Sequence, residues 1–153
     1  MTTYEDLLSE ADNNGLITKE KSLKANKGRI MGNRIAIKRD MTEPEKKCIL
    51  AEELGHYYTG IGDILDQSSV SSRKQELQGR VHSYNRLVGL IGIIDAYKAH
   101  CQNLSESAEH LHVPEDFLNE ALLYYKEKYG ISTRIDNYVI FFEPYIAVLE
   151  LTK

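Results

Sequence analysis

The segment EELGH at residues 52–56 holds the side chains best suited to chemistry. Glu52 and His56 are four residues apart, so on an α-helix both point to one side, about 6 Å apart along the axis. A carboxylate and an imidazole placed in this way can bind one divalent cation. Glu53 is rotated from Glu52 by about 100° and can hang over the same ion without binding it. The segment has the spacing of the zinc motif HExxH, with Glu52 in place of the first histidine.

A second interpretation of this segment is a solvated acidic face that happens to carry an exposed histidine. The sequence before it favours a well-defined helix in either case. Thr42 and Glu45 form a capping box, and Pro44 lies in the first turn, where its missing N–H is not needed. We expect this helix to end near residues 59–60.

The remaining segments predict an α+β fold of one domain, residues 1–153, that is mainly helical and has a small β-sheet. The sheet would combine an N-terminal hairpin with C-terminal strands. The hairpin is expected at 28–38 around Gly32-Asn33, a dipeptide that suits a tight turn. Helices are expected at 3–11, at 72–94 with continuation toward Cys101, at 105–112 and at 115–129, and strands at 138–151 around Pro144.

Composition excludes several classes of protein. The chain of 153 residues carries a net charge of −4, which argues against a protein that coats nucleic-acid phosphates. Its longest apolar run, residues 87–94, is far below the roughly 20 residues that span a bilayer, and its polar N-terminus is not a signal peptide. Cys48 and Cys101 form no CxxC pair, so neither a disulfide framework nor a four-cysteine zinc site is expected. These features predict a cytoplasmic protein without membrane association.

Three segments of the chain resemble one family. The three segments are CILAEELGHYYTGIGDILDQ (48–67), RKQELQGR (73–80) and AEHLHVPEDFLNEALLYYKEKYG (108–130). They are similar to the ImmA/IrrE metallopeptidases of phages and mobile elements. The resemblance implies a zincin-like fold with Glu52, His56 and Glu76 as metal ligands and Glu53 as the general base. It also implies that the substrate is a repressor protein of the same prophage or mobile element.

Two acidic residues compete for the place of third ligand. Glu76 lies 20 residues after His56, on the helix expected to pack back against the first, and would leave a fourth position for water. Its alternative role is a surface ion pair with Arg73 or Arg80. Asp63, seven residues after His56, is a rival or additional ligand, or else a turn or cap residue.

The replacement of a histidine by Glu52 has a predictable effect on the metal. Two carboxylates and one neutral imidazole cancel the charge of a divalent ion, so the ion would polarise water less than a typical zinc site does. Oxygen ligands also weaken the preference for zinc over manganese or iron. We expect a site that still binds metal, more weakly than a typical zinc site, with zinc favoured and manganese or iron accepted. Its hydrolysis is expected to be slow or to need the substrate to complete the site.

Other candidate residues carry weaker signals. Cys48 is too far along the helix to share an ion with His56 and is expected in the core. Tyr57 and Tyr58 could donate a hydrogen bond to an oxyanion, but tyrosines beside a core helix more commonly pack against other side chains. The remaining histidines show no ligand spacing and are expected at the surface: His82, His100, His110 and His112. The helices at 105–129 resemble a helix-turn-helix, but the second is acidic, which disfavours DNA.

The sequence therefore supports two functions of different kinds. The first is a cytoplasmic metal-dependent endopeptidase that cleaves a cognate repressor. The second is a non-catalytic antirepressor that binds and inactivates the repressor with the same fold, which the altered motif at Glu52 favours. Direct DNA binding is a third and disfavoured possibility because of the charge balance.

Overall fold

The computed structural model describes the backbone of residues 1–59 and 70–152 and the side chains of 1–59 and 73–152. Within these ranges the chain forms six helices and six strands, which confirms the predicted, mainly helical α+β class. The strands form two separate three-stranded sheets, so the N-terminal hairpin and the C-terminal strands do not share the single sheet that was expected. The chain divides into two compact units, Met1–Leu87 and Val88–Lys153, and the predicted metal-binding residues all lie in the first.

The first unit is built from three helices and one mixed sheet. Its elements are α1 (Tyr4–Asn13), β1 (Ile17–Lys21), β2 (Gly28–Met31), β3 (Arg34–Lys38), α2 (Glu43–Tyr58) and α3 (Val70–Leu87). The strands β2 and β3 form the predicted hairpin, with Gly32 in a positive-φ conformation at its turn. The strand β1 pairs in parallel with β3, so β2 is an edge strand.

One face of this sheet packs against α2 and forms the core of the first unit. Ile30, Ile35 and Ile37 point to this face and are buried, because alternate side chains of a strand point to the same side. Leu50 and Leu54 of α2 are buried on the helix side. The helices α1 and α3 also pack against α2, which is therefore the central element of the unit.

The second unit contains three helices and an antiparallel meander. Its elements are α4 (Gly89–Lys98), α5 (Leu104–Leu111), α6 (Glu115–Tyr129), β4 (Ser132–Ile135), β5 (Tyr138–Phe141) and β6 (Ala147–Glu150). One or two strands were predicted at 138–151, and the structure has two, β5 and β6, on either side of Pro144; β4 is a further strand that was not predicted.

The long helix expected at 72–94 is in fact two helices, α3 and α4. The break lies at Val88, and Gly89 has a φ of +64°, which a right-handed helix cannot contain. The backbone N–H of Gly89 donates to the Tyr125 hydroxyl at 3.1 Å, so the start of α4 is held by α6. Because apolar residues continue on both sides of the break, the hydrophobic periodicity of the sequence does not indicate it.

Candidate metal centre

The capping box at the start of α2 fixes the position of the EELGH segment. The Thr42 hydroxyl accepts from the Glu45 backbone N–H at 3.3 Å, and the Glu45 carboxylate accepts from the Thr42 N–H at 3.5 Å. At the other end, the Thr59 hydroxyl donates to the carbonyl oxygens of Gly55 and His56. Both helix ends agree with the prediction, so residues 52–56 lie in regular helix near the C-terminal end of α2.

The three predicted ligands lie together between α2 and α3. His56 Nε2 is 3.9 Å from a Glu52 carboxylate oxygen and 3.6 Å from a Glu76 carboxylate oxygen. One candidate ligand atom from each of the three residues lies within 4.8 Å of the others. His56 is 2% exposed, whereas the two carboxylates are partly exposed, so an ion could be reached from solvent on the carboxylate side.

Glycines let α2 and α3 approach closely at this point. A β-carbon on Gly79 of α3 would lie 2.4 Å from Cε1 and 2.6 Å from Nδ1 of His56, so the imidazole fills the space that an alanine side chain would occupy. A β-carbon on Gly55 would lie 2.8 Å from Cβ of His82 and 2.9 Å from the Gly79 carbonyl oxygen. The closeness of the helices explains why glycine stands inside both of them despite its low helix propensity. The sequence did not lead us to predict a role for Gly79. A glycine inside a helix, three residues after Glu76, is the signal that could have indicated a close approach of the two helices here.

The surroundings of His56 favour the neutral imidazole that a metal requires. Burial lowers the pKa of His56; Glu76 raises it, and Arg80 lowers it further. Within the described part of the chain, the buried Nδ1 atom has no hydrogen-bond partner. Nε2 lies 3.9 Å from Glu52 and 3.6 Å from Glu76, so it is the nitrogen that an ion held by these carboxylates would meet.

Glu53 lies on the sheet side of α2 and is 7% exposed. A β-carbon on Gly28 would be 3.4 Å from Oε1 of Glu53, which places the carboxylate beside the edge strand β2. Burial, and then the charges of Glu52 and Glu76, raise the pKa of Glu53 to about 8. At pH 7 this carboxyl is therefore largely protonated in the metal-free protein, and only its ionised form can act as a general base. A cation held by the neighbouring carboxylates would lower this pKa and favour the ionised form.

The donor set fits a divalent cation. Three carboxylates, Glu52, Glu53 and Glu76, lie close enough for the first and third to raise the pKa of the second. A cation would offset this repulsion, and a neutral imidazole nitrogen with carboxylate oxygens is a set that zinc, manganese and iron accept. The shared location of the three ligand atoms thus supports a divalent metal site; it does not identify the metal.

The other candidate residues lie elsewhere or carry out structural roles. Asp63 lies outside the described residues. Cys48 is buried, as expected. Three histidines are exposed, as predicted: His100, His110 and His112. The prediction is wrong for His82, which is half-buried with its Nε2 atom enclosed because it packs beside Gly55 and the Tyr58 ring.

Tyr58 belongs to a polar cluster that joins the three helices of the first unit. Its hydroxyl donates to Glu10 of α1, and Arg86 of α3 donates to the same carboxylate through both terminal nitrogens. These hydrogen bonds support a structural role for Tyr58 more strongly than a catalytic one. The cluster was not predicted, because Glu10 and Arg86 are 76 residues apart.

Comparisons with known proteins add no identification. No family model matches the chain, and the searches of curated proteins and of solved structures also find no match. Among the helices of the described ranges, none combines the length and the apolar character needed to cross a bilayer.

Proposed function

We propose that this protein is a metal-dependent endopeptidase of the ImmA/IrrE type with a zincin-like fold. The observation that carries the proposal is the grouping of Glu52, His56 and Glu76, together with the buried carboxyl of Glu53, whose pKa is raised by the charges of Glu52 and Glu76. Three ligands and an adjacent base are the constellation of a hydrolytic metal site with an open position.

Each residue has a separate task in this mechanism. Glu52, His56 and Glu76 would hold the ion, which when bound supplies Lewis acidity that activates water and polarises the scissile carbonyl. In its ionised form, which a bound cation would favour, Glu53 takes a proton from the attacking water and passes it to the leaving amine. Burial stabilises the protonated form that exists between these two transfers. The strand β2, which borders Glu53, lies at the edge of its sheet among the described residues, so its outer backbone groups could pair with an extended peptide.

The ligand set predicts modest rather than high activity. Glu52 supplies a second negative charge where HExxH supplies a neutral histidine, so the net charge of a divalent site falls to about zero. We propose zinc as the physiological metal, with manganese or iron as functional substitutes.

The proposed substrate is a repressor protein encoded by the same prophage or mobile element, cleaved in the cytoplasm. This proposal depends on the resemblance of residues 48–67 and 73–80 to the family. Cleavage would remove the repressor and allow expression of the genes it controls.

The test is cleavage of the co-encoded repressor by the zinc-loaded wild type, by Glu53→Gln and by Glu127→Gln. Glu127 is an exposed carboxylate of α6, so its substitution controls for the loss of one charge. The proposal expects a loss of about 10²- to 10⁴-fold in rate for Glu53→Gln and no change for Glu127→Gln.

The same experiment separates the alternative, a non-catalytic antirepressor. If the repressor is inactivated equally by the wild type and by Glu53→Gln, with both proteins leaving its chain uncut, inactivation occurs by binding and the peptidase proposal is wrong. The feature that favours this alternative is Glu52, which stands where the HExxH motif has its first histidine.

A further inference from the structure

The outer face of the first sheet, which points away from α2, is strongly basic. Lys19, Lys21, Arg29 and Arg34 line one shallow groove on this face, together with exposed apolar residues. We use the name basic sheet face for the outward-pointing residues of this groove, which are Ile17, Lys19, Lys21, Arg29, Met31, Arg34 and Ala36.

Strand register explains how these side chains are arranged. Ala36 of β3 lies between Lys19 of β1 and Arg29 of β2, so a small side chain separates two cations and leaves a depression. In the next row, two residues along the strands, Arg34 lies between Ile17 and Met31. Cationic and apolar side chains therefore alternate within each row and from one row to the next.

The positive charge of this face is not balanced within the described chain. Glu20, the acidic residue of β1, points to the opposite side, where it binds Lys46 at 2.6 Å and accepts a hydrogen bond from Tyr4. Within residues 1–59 and 70–152, the four cations of the groove form no ion pair. Like charges on one side of a sheet repel one another, so an anionic partner would relieve the repulsion among these cations.

Exposed apolar side chains show which kind of anion fits. Ile17 is 44% exposed and Met31 is 49% exposed, and both flank Arg34. A protein segment with both carboxylates and apolar side chains can match such a row, since its carboxylates pair with the cations while its apolar groups cover Ile17 and Met31. The face carries no aromatic residue on which nucleic-acid bases could stack, which makes a single-stranded nucleic acid a poorer match.

We propose that the basic sheet face binds an acidic, partly apolar segment of a partner protein. This inference goes beyond the proposed hydrolysis and does not require it. If both are correct, β2 connects them, because Arg29 and Met31 point to the basic sheet face while Gly28 lies beside Glu53 on the other side. Docking would then hold the partner next to the candidate metal centre.

The experiment measures fluorescence anisotropy of a labelled peptide of alternating glutamate and valine. Titrations use the full-length protein, with and without zinc, at low and at physiological salt. The charge-reversal variant is Arg29→Glu/Arg34→Glu, and the matched control is Lys126→Glu/Lys128→Glu on α6, which changes the net charge equally. A lysine–valine peptide and a labelled DNA duplex are the competing probes.

The proposal expects the acidic peptide to bind the wild type and the α6 control alike, and to bind Arg29→Glu/Arg34→Glu at least tenfold more weakly. Zinc should not change this binding, so a protein that fails to bind zinc or to hydrolyse can still bind the peptide. The proposal is wrong if the peptide does not bind, if both variants bind it equally, or if the duplex binds this face more tightly than the peptide. Circular dichroism confirms that each variant is folded.

Discussion

The imidazole of His56 occupies the space where residue 79 would carry a side chain, since a β-carbon there would lie 2.4 Å from the ring. This relationship makes Gly79 a positioning residue for the candidate metal centre. His56 is buried where α2 packs against α3, its ring lies against Gly79, and its Nε2 atom faces the carboxylates of Glu52 and Glu76.

Substitution of Gly79 by alanine should therefore remove metal binding. In an ordinary helix interior, glycine to alanine stabilises by about 1 kcal/mol, but here the new methyl group forces His56 to rotate away from Glu52 and Glu76. We expect Gly79→Ala to lose zinc affinity by more than tenfold, measured by competition with a chelating dye.

Gly92→Ala in α4 is the matched control, because its new β-carbon would meet Leu111 at an ordinary distance of 3.5 Å. It should retain the zinc affinity of the wild type. Equal zinc affinity in Gly79→Ala and in the wild type would contradict the positioning role of Gly79.

Gly28 on β2 should show a steric effect of a different kind. A β-carbon there would lie 2.2 Å from Cγ2 of Ile49, so alanine would push β2 away from α2. We expect Gly28→Ala to destabilise the fold by about 1–3 kcal/mol in urea denaturation. In the double variant with Ile49→Ala the clash is removed, so the two costs should be clearly less than additive. Simple additivity would show that the two residues do not interact.

The Glu10–Arg86 pair should make stability depend on pH in the acidic range. Its hydrogen bonds lower the pKa of Glu10 below the usual 4.5, although burial opposes this shift. Because the folded state has the lower pKa, the pair stabilises fully above pH 4.5, and this contribution is lost as the pH falls through the folded-state pKa. We expect Glu10→Gln to cost about 1 kcal/mol at pH 7 and much less at pH 3, measured by urea denaturation.

Asp12→Asn on the same helix is the control for this pair, because Asp12 is exposed. It should leave the free energy of unfolding nearly unchanged at both pH values. A cost for Glu10→Gln that is the same at pH 3 and pH 7 would rule out the ion pair as its cause.

The sequence predicted the elements whose signals are local. Thr42, Glu45 and Pro44 marked the start of α2, and Gly32-Asn33 marked the hairpin, because capping and turn chemistry depend on a few neighbouring residues. The grouping of Glu52 and His56 was predictable for the same reason, since helical spacing alone places them on one side.

Contacts between distant residues could not be predicted in this way. The parallel pairing of β1 with β3 and the hydrogen bonds of Arg86 to Glu10 depend on how segments distant in sequence pack together, which no local pattern encodes. Glu76 was correctly associated with His56, but this prediction came from a family resemblance. The break at Val88 was missed because apolar residues continue on both sides of Gly89, which has a positive φ.

Zinc binding by the wild type, Glu76→Gln and Glu127→Gln tests the central claim most directly. Equilibrium dialysis followed by elemental analysis gives the number of ions per chain and the affinity. The wild type and Glu127→Gln should each bind one zinc ion. Glu76→Gln should bind more than about tenfold more weakly, because even groups that only orient a metal ligand contribute that much. No zinc uptake by the wild type, or equal affinity in all three proteins, would contradict a metal centre formed by Glu52, His56 and Glu76.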